Sequence, residues 1–130
     1  MVLVHTKKGF TSIELLIVVA LIAIMVSISF AAYTSFLKKA KTIEALVAID
    51  HVAGLENLYY IENGRYTDNT DAIGLSLVGP LKYYAITINV PAGPNPQSFE
   101  AIASGNVDSD PDIDVWTINQ EKKLNHVTID

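Results

Sequence analysis

From Leu15 to Leu37 the chain carries no charged residue. As a helix rising about 1.5 Å per residue, that run of about 23 residues is roughly 35 Å long. A bilayer core takes about 20 such residues, so the run is long enough to span one. The rest of the chain is too short to hide it. Beyond about residue 60 only some 70 residues remain, and so small a body buries limited apolar surface. Lys7, Lys8 and Gly9 precede the run, and Glu14 stands at its start. A carboxylate beside a membrane segment is costly without a partner, which makes Glu14 the first candidate functional residue.

The stretch Gly9-Phe10-Thr11-Ser12-Ile13-Glu14-Leu15-Leu16-Ile17-Val18-Val19-Ala20 resembles the cleavage and assembly signature of bacterial type IV pilins and of their relatives, the type II secretion pseudopilins. It matches closely at the N-terminus and, over the remainder, only in architecture. The resemblance implies that residues 1–9 are a leader cut between Gly9 and Phe10 by a prepilin peptidase. It implies methylation of the new terminus at Phe10, and an assembly role for Glu14 together with Phe10. The implied partners are copies of the same chain in a helical homopolymer, the prepilin peptidase, the inner-membrane assembly machinery and, before assembly, the membrane itself. The implied location is a single-pass inner-membrane precursor with its N-terminus cytoplasmic, and later an extracellular filament. Loop charge does not set this orientation, because Lys38, Lys39 and Lys41 follow the run just as Lys7 and Lys8 precede it. The competing interpretation is an ordinary signal peptide, with small residues at Ser27-Ile28-Ser29 or Ser29-Phe30-Ala31. Glu14 ahead of the apolar core, and a run that continues well past those sites, stand against it.

The formal charge is −5, and loss of Lys7 and Lys8 with the leader would make the mature chain more acidic still. Phosphate backbones are bound through Lys/Arg clusters, so no intrinsic nucleic-acid binding is expected. There is no cysteine, which excludes a disulfide staple and c-type haem attachment. Members of the resembling family often close their C-terminal region with a disulfide, and this chain departs from that pattern.

Past the apolar run, Ala45, Ala48, Ile49, Val52, Leu55 and Tyr59 recur at three- and four-residue steps, with Glu44, Asp50, Glu56 and Asn57 mostly off the stripe. One helix over 10–60 follows, with 15–37 as membrane span or filament core and a globular head over 61–130. The family usually has glycine and proline where this chain has Ala23 and Ala31. Alanine is the best helix former, so a more continuous helix is expected. Asn63-Gly64 supplies a helix stop, and Tyr59 to Tyr66 resembles the helix exit of many pilins. Residues 68–79 form a loop. Tyr84, Ile86, Ile88 and Val90 alternate as a strand, Ser98 to Ala103 form a second, and Val115–Ile118 and Leu124–Ile129 form a hairpin through 119–123. The fold class is α+β: a long N-terminal helix on a small antiparallel sheet, the pilin fold.

Asp108, Asp110, Asp112 and Asp114 place a carboxylate at every second position. Hard cations take six to eight oxygens, so this loop is a candidate calcium site, and a cation could replace the absent disulfide. Departures from the EF-hand pattern are Ile113 where that loop needs glycine and Asn119 where it uses glutamate. A solvated acidic turn is the plainer alternative. Lys38, Lys39 and Lys41 suit a headgroup-level anchor, with Tyr33 and Phe36 nearby as an aromatic belt. His5, His51 and His126 are scattered and build no metal site, and no nucleophile–base pair or phosphate loop is present, so catalysis is not expected.

The function implied is a type IV pilus subunit. The alternatives are a type II secretion pseudopilin, a minor pilin and, from another class, a membrane-tethered periplasmic binding module. Mass spectrometry of the mature chain is expected to find methylated Phe10 at the N-terminus. An intact Met1, or a start near Phe30, would remove the resemblance's central implication.

Overall fold

A computed structural model describes residues 9–75, 79–108 and 110–128. Most of the expected leader (1–8), the loop residues 76–78 and the expected strand end at Ile129 lie outside the described residues. The chain divides into two compact units between Leu37 and Lys38. A single helix, α1 (Ser12–Asn63), contributes to both. It starts later than residue 10 and runs past 60.

In the first unit every large apolar side chain from Leu15 to Leu37 is exposed. The helix continues without a break through Ala23 and Ala31. Its hydroxyls do not compete with the backbone ladder for donors. Ser27 Oγ donates to Ala23 O at 2.8 Å, Ser29 Oγ to Met25 O at 2.8 Å and Thr34 Oγ1 to Ala31 O at 3.0 Å. Such back-bonds satisfy a hydroxyl within its own helix, which lets it sit in an apolar surround.

In the second unit α1 buries one face, made by Ala45, Ile49, Val52, Ala53 and Glu56. The expected stripe holds at Ala45, Ile49 and Val52. Glu56 differs from expectation: it lies on the stripe, four residues after Val52, and is fully buried. The helix ends as its sequence dictates. Gly64 takes a positive φ of 70° and its N–H reaches Tyr60 O at 2.7 Å, while Asn63 Nδ2 caps Tyr59 O at 3.0 Å. A left-handed residue there closes the last turn, and glycine takes that conformation without strain.

Four strands follow: β1 (Tyr84–Asn89), β2 (Glu100–Gly105), β3 (Asp114–Asn119) and β4 (Leu124–Thr128). They form one antiparallel sheet in the order β1-β2-β3-β4. Alternation puts Tyr84 and Ile88 in the core from β1, and Ala101 and Ala103 from β2. The second strand runs two residues later than its apolar pattern suggested, because Gly105 and Ser104 pair with Tyr84 and Ala85. Neither has an apolar side chain to mark it as strand. Asn119 closes the β3–β4 hairpin: its Oδ1 accepts from Glu121 N at 3.1 Å and Lys123 N at 2.9 Å, and its carbonyl from Lys122 N at 2.9 Å.

Charged groups on the first turns of this unit tie the loops to the helix. Glu44 accepts the backbone N–H of Lys82 and of Tyr83, both at 2.8 Å, and so fixes the entry to β1. Lys41 Nζ donates to Val107 O at 2.6 Å, and Lys38 pairs with Asp108. These lysines were expected at a headgroup surface, but two of the three turn to the segment between β2 and β3. Hydrogen bonds to a charged group are worth about 1.5–3 kcal/mol net. Urea unfolding of the detergent-solubilised Glu44→Ala variant is expected to show a loss of about 1–3 kcal/mol, whereas Val47→Ala, on the exposed helix face, changes stability by less than about 0.5 kcal/mol.

Candidate functional site

The N-terminal candidates sit on the first turn of α1. Thr11 precedes the first helical residue, and Glu14 lies three positions later. Thr11 N–H donates to Glu14 Oε2 at 2.9 Å, Thr11 Oγ1 donates to the same oxygen at 2.9 Å, and Glu14 N–H reaches back to Thr11 Oγ1 at 3.3 Å. This is a capping box, in which residue types three apart satisfy each other's orphan backbone donors. The carboxylate also lies at the positive end of the helix dipole. Glu14 is therefore held in one orientation with Oε2 occupied, and among the described residues no donor reaches Oε1. Phe10, beside it, is 82% exposed. The structure thus brings Phe10, Thr11 and Glu14 together at one helix end, immediately before an uncharged run whose large apolar side chains are exposed.

The four aspartates do not converge. Asp108 Oδ1 accepts from Asp110 N at 2.9 Å and Asp110 Oδ1 from Asp112 N at 2.9 Å, a chain of Asx turns that starts with Asn106 Oδ1 accepting from Asp108 N at 3.0 Å. Lys38 and the Asp110 N–H hold the Asp108 carboxyl well below the usual range, at about 2. Asp114 faces the other way, into the sheet. Among the described residues no three acidic or histidine side chains are grouped to hold a metal ion. A hard cation at Asp108 or Asp110 would compete with the backbone N–H that each already accepts.

Asp114 is the centre of a different arrangement. Buried at 3% exposure, its Oδ2 accepts from Trp116 Nε1 at 2.7 Å and from the hydroxyl of Tyr84, and its Oδ1 meets His126 Nε2. The Trp116 and His126 rings stack in parallel, with centroids 3.7 Å apart. One carboxylate therefore ties β1, β3 and β4. Register explains how Tyr84 reaches it. Tyr84 pairs with Gly105, and Gly105 with Asp114, so the three form one row across the sheet. A Cβ on Gly105 would lie 2.3 Å from Tyr83 O and 2.8 Å from the Tyr84 ring. The ring crosses β2 because nothing stands at Gly105. Sequence reasoning missed this group. Its members are separated by up to some forty residues, and only the pairing register aligns them.

No family model matches the chain. Among curated proteins it is 30% identical over 70 residues to a type IV major pilin protein, PilE1, of Neisseria gonorrhoeae, covering 54% of this chain and 42% of that one. It is 31% identical over 91 residues to the fimbrial protein EcpC of Eikenella corrodens, covering 70% and 60%. It is 35% identical over 69 residues to the type IV wide pilus major component PilA4 of Thermus thermophilus, covering 53% of each. The chain spans about half the length of the curated relatives it matches. Its curated homologues are thus type IV major pilins and fimbrial proteins.

Removing one partner of a buried, hydrogen-bonded charge leaves the others unpaired and costs about 3–5 kcal/mol. Asp114→Ala is expected to destabilise the chain by that order in urea titrations. Gly105→Ala is expected to lose about 1–3 kcal/mol, as overpacked sites do. Because both break the Tyr84–Asp114 contact, their effects should add to less than their sum. Simple additivity would mean that Gly105 does not act through Tyr84.

Proposed function

We propose that this chain is the structural subunit of a type IV pilus, anchored by α1 in the inner membrane with its N-terminus cytoplasmic and polymerised outward after leader removal. The observation that carries this proposal is the fully exposed, uncharged first half of α1 headed by an oriented carboxylate. By length and composition that helix can cross a membrane. Each large apolar side chain moved out of water gains about 1.5–3 kcal/mol, so residues 15–37 demand lipid first and a protein surround once lipid is left behind. Copies of the same helix supply that surround, through a head-to-tail contact that repeats without closing.

Assembly assigns complementary roles to the two residues at the helix end. Cleavage after Gly9 frees the Phe10 amine, which carries a positive charge and is methylated. Among the described residues Glu14 Oε1 has no donor, and it receives the Phe10 amine of a neighbouring subunit. A carboxylate pre-oriented by Thr11 loses little freedom on binding, which favours this contact over a loosely held one. The pair then sets the axial register of the packed helices. The pilin and fimbrial names of the homologues favour a pilus over a secretion pseudopilus.

Glu14→Ala is expected to insert in the membrane and to be cleaved, yet to be absent from filaments sheared from the cell surface and viewed by electron microscopy. Normal filament yield from that variant would overturn the pairing of Glu14 with Phe10. Filaments absent from the native protein as well would overturn the pilus assignment.

A further inference from the structure

Glu56 is the one charged-type side chain on the buried face of α1, at 0% exposure. Its Oε2 accepts a hydrogen bond from Thr67 N–H at 3.2 Å, and among the described residues its Oε1 has no partner. Thr67 begins the segment that leaves the helix. Around it Tyr66 N–H donates to Pro96 O at 3.0 Å, and the Tyr66 hydroxyl donates to Asn57 Oδ1 at 3.2 Å. The Tyr66 ring stacks on Tyr60 at 4.6 Å and meets Phe99 at 4.9 Å. Asn69 then organises the next turn, its Oδ1 accepting from Asp71 N at 3.0 Å and Ala72 N at 3.2 Å. Tyr66 thus ties the start of the segment to Pro96 and Asn57, Asn69 shapes its turn, and Glu56 is the buried carboxyl to which Thr67 is fastened.

Among the described residues no salt bridge reaches Glu56. Burial pushes its carboxyl up, the Thr67 N–H offsets part of this, and the nearby charge of Asp68 adds to the rise. Tyr66 is the other titratable group coupled to it, and is itself pushed up by burial and by Tyr60 and Glu56. The buried residues that the strands bring to the core are apolar apart from Tyr84, Asp114 and Thr117, and the Asp114 carboxylate is taken by Tyr84, Trp116 and His126. An ionised carboxylate held by one neutral N–H in such a place is strongly disfavoured, and admitting water relieves it.

We propose that Glu56 is a pH-operated latch on residues 65–75: neutral, it keeps Thr67 docked on the helix, and ionised, it draws in water and lets the segment open. The sign follows from the direction of the shift. A carboxyl raised above its ordinary value of 4.5 in the closed state stabilises that state fully below the ordinary value. The stabilisation falls as pH rises from there and is gone above the raised value. In that window the opening equilibrium climbs by up to about tenfold per pH unit, then levels off. The surface that opens is the helix-to-sheet loop of the head, so the latch would change which head surface a neighbouring molecule meets.

Backbone hydrogen exchange of the full-length protein in detergent, referenced to unstructured-peptide rates at each pH, tests this. Between pH 4 and pH 7, protection over 65–75 is expected to fall, by up to about tenfold per pH unit, while that of residues 45–53 holds. In Glu56→Gln, protection over 65–75 is expected not to change with pH. A flat profile in the native protein, or an equal fall in the variant, would overturn the latch. Should the variant fail to fold, the side-chain carboxyl carbon of native Glu56 can be followed by NMR. Titration at or below the ordinary value of 4.5 would overturn the proposal, and titration above it is the expected result.

Discussion

The head depends on burial of one narrow face of α1 against a four-stranded sheet. Ala45, Ile49, Val52 and Ala53 supply that face, and Ile88, Ala101, Ala103 and Ile118 of the sheet, with Phe99 just before β2, complete the core. Small residues on both sides, Ala45, Ala53, Ala101 and Ala103, are fully buried there, and their dispersion contacts, individually small, add up. No disulfide reinforces it, since the chain has no cysteine. A core of this size is marginal by area alone, so the polar groups at its margins carry unusual weight.

Those margins are closed by carboxylates and amines placed on regular elements. Glu44 holds the entry to β1, Lys41 and Lys38 hold the β2–β3 segment, and Asp114 holds three strands through Tyr84, Trp116 and His126. In each case a charged group meets several fixed donors or a fixed acceptor, a pairing stronger than neutral hydrogen bonds. Glu56 is the exception: a buried carboxyl with one donor and an orphan oxygen. Burial, not its hydrogen bond, sets its preference for the neutral form, and the proposed latch rests on that difference.

At the other end of the helix the same chemistry is arranged outward. Thr11 and Glu14 satisfy each other, as a capping pair does, and leave one carboxylate oxygen facing away. A local structural device, needed only to start a helix, thereby presents a charge with fixed geometry at the head of an apolar rod. The proposed assembly contact uses that preorganisation.

The sequence by itself determined the class of this protein. An uncharged run of that length forces a helix that seeks an apolar surround, Gly9, Phe10 and Glu14 mark its head, and two-residue alternation in 84–90 marks a strand. These are local properties, set by residues within a few turns of one another. It could not determine what Asp114 does. Read along the chain, Asp114 is the last of four evenly spaced acids. In the folded sheet the pleat turns it inward, and antiparallel register sets it in a row with Gly105 and Tyr84. Glu56 follows the same logic: its place four residues after Val52 puts it on the buried stripe, but only the return of the chain past the helix end brings the Thr67 N–H to its carboxyl. Register and phase depend on contacts far apart in sequence, so only the tertiary structure could decide them.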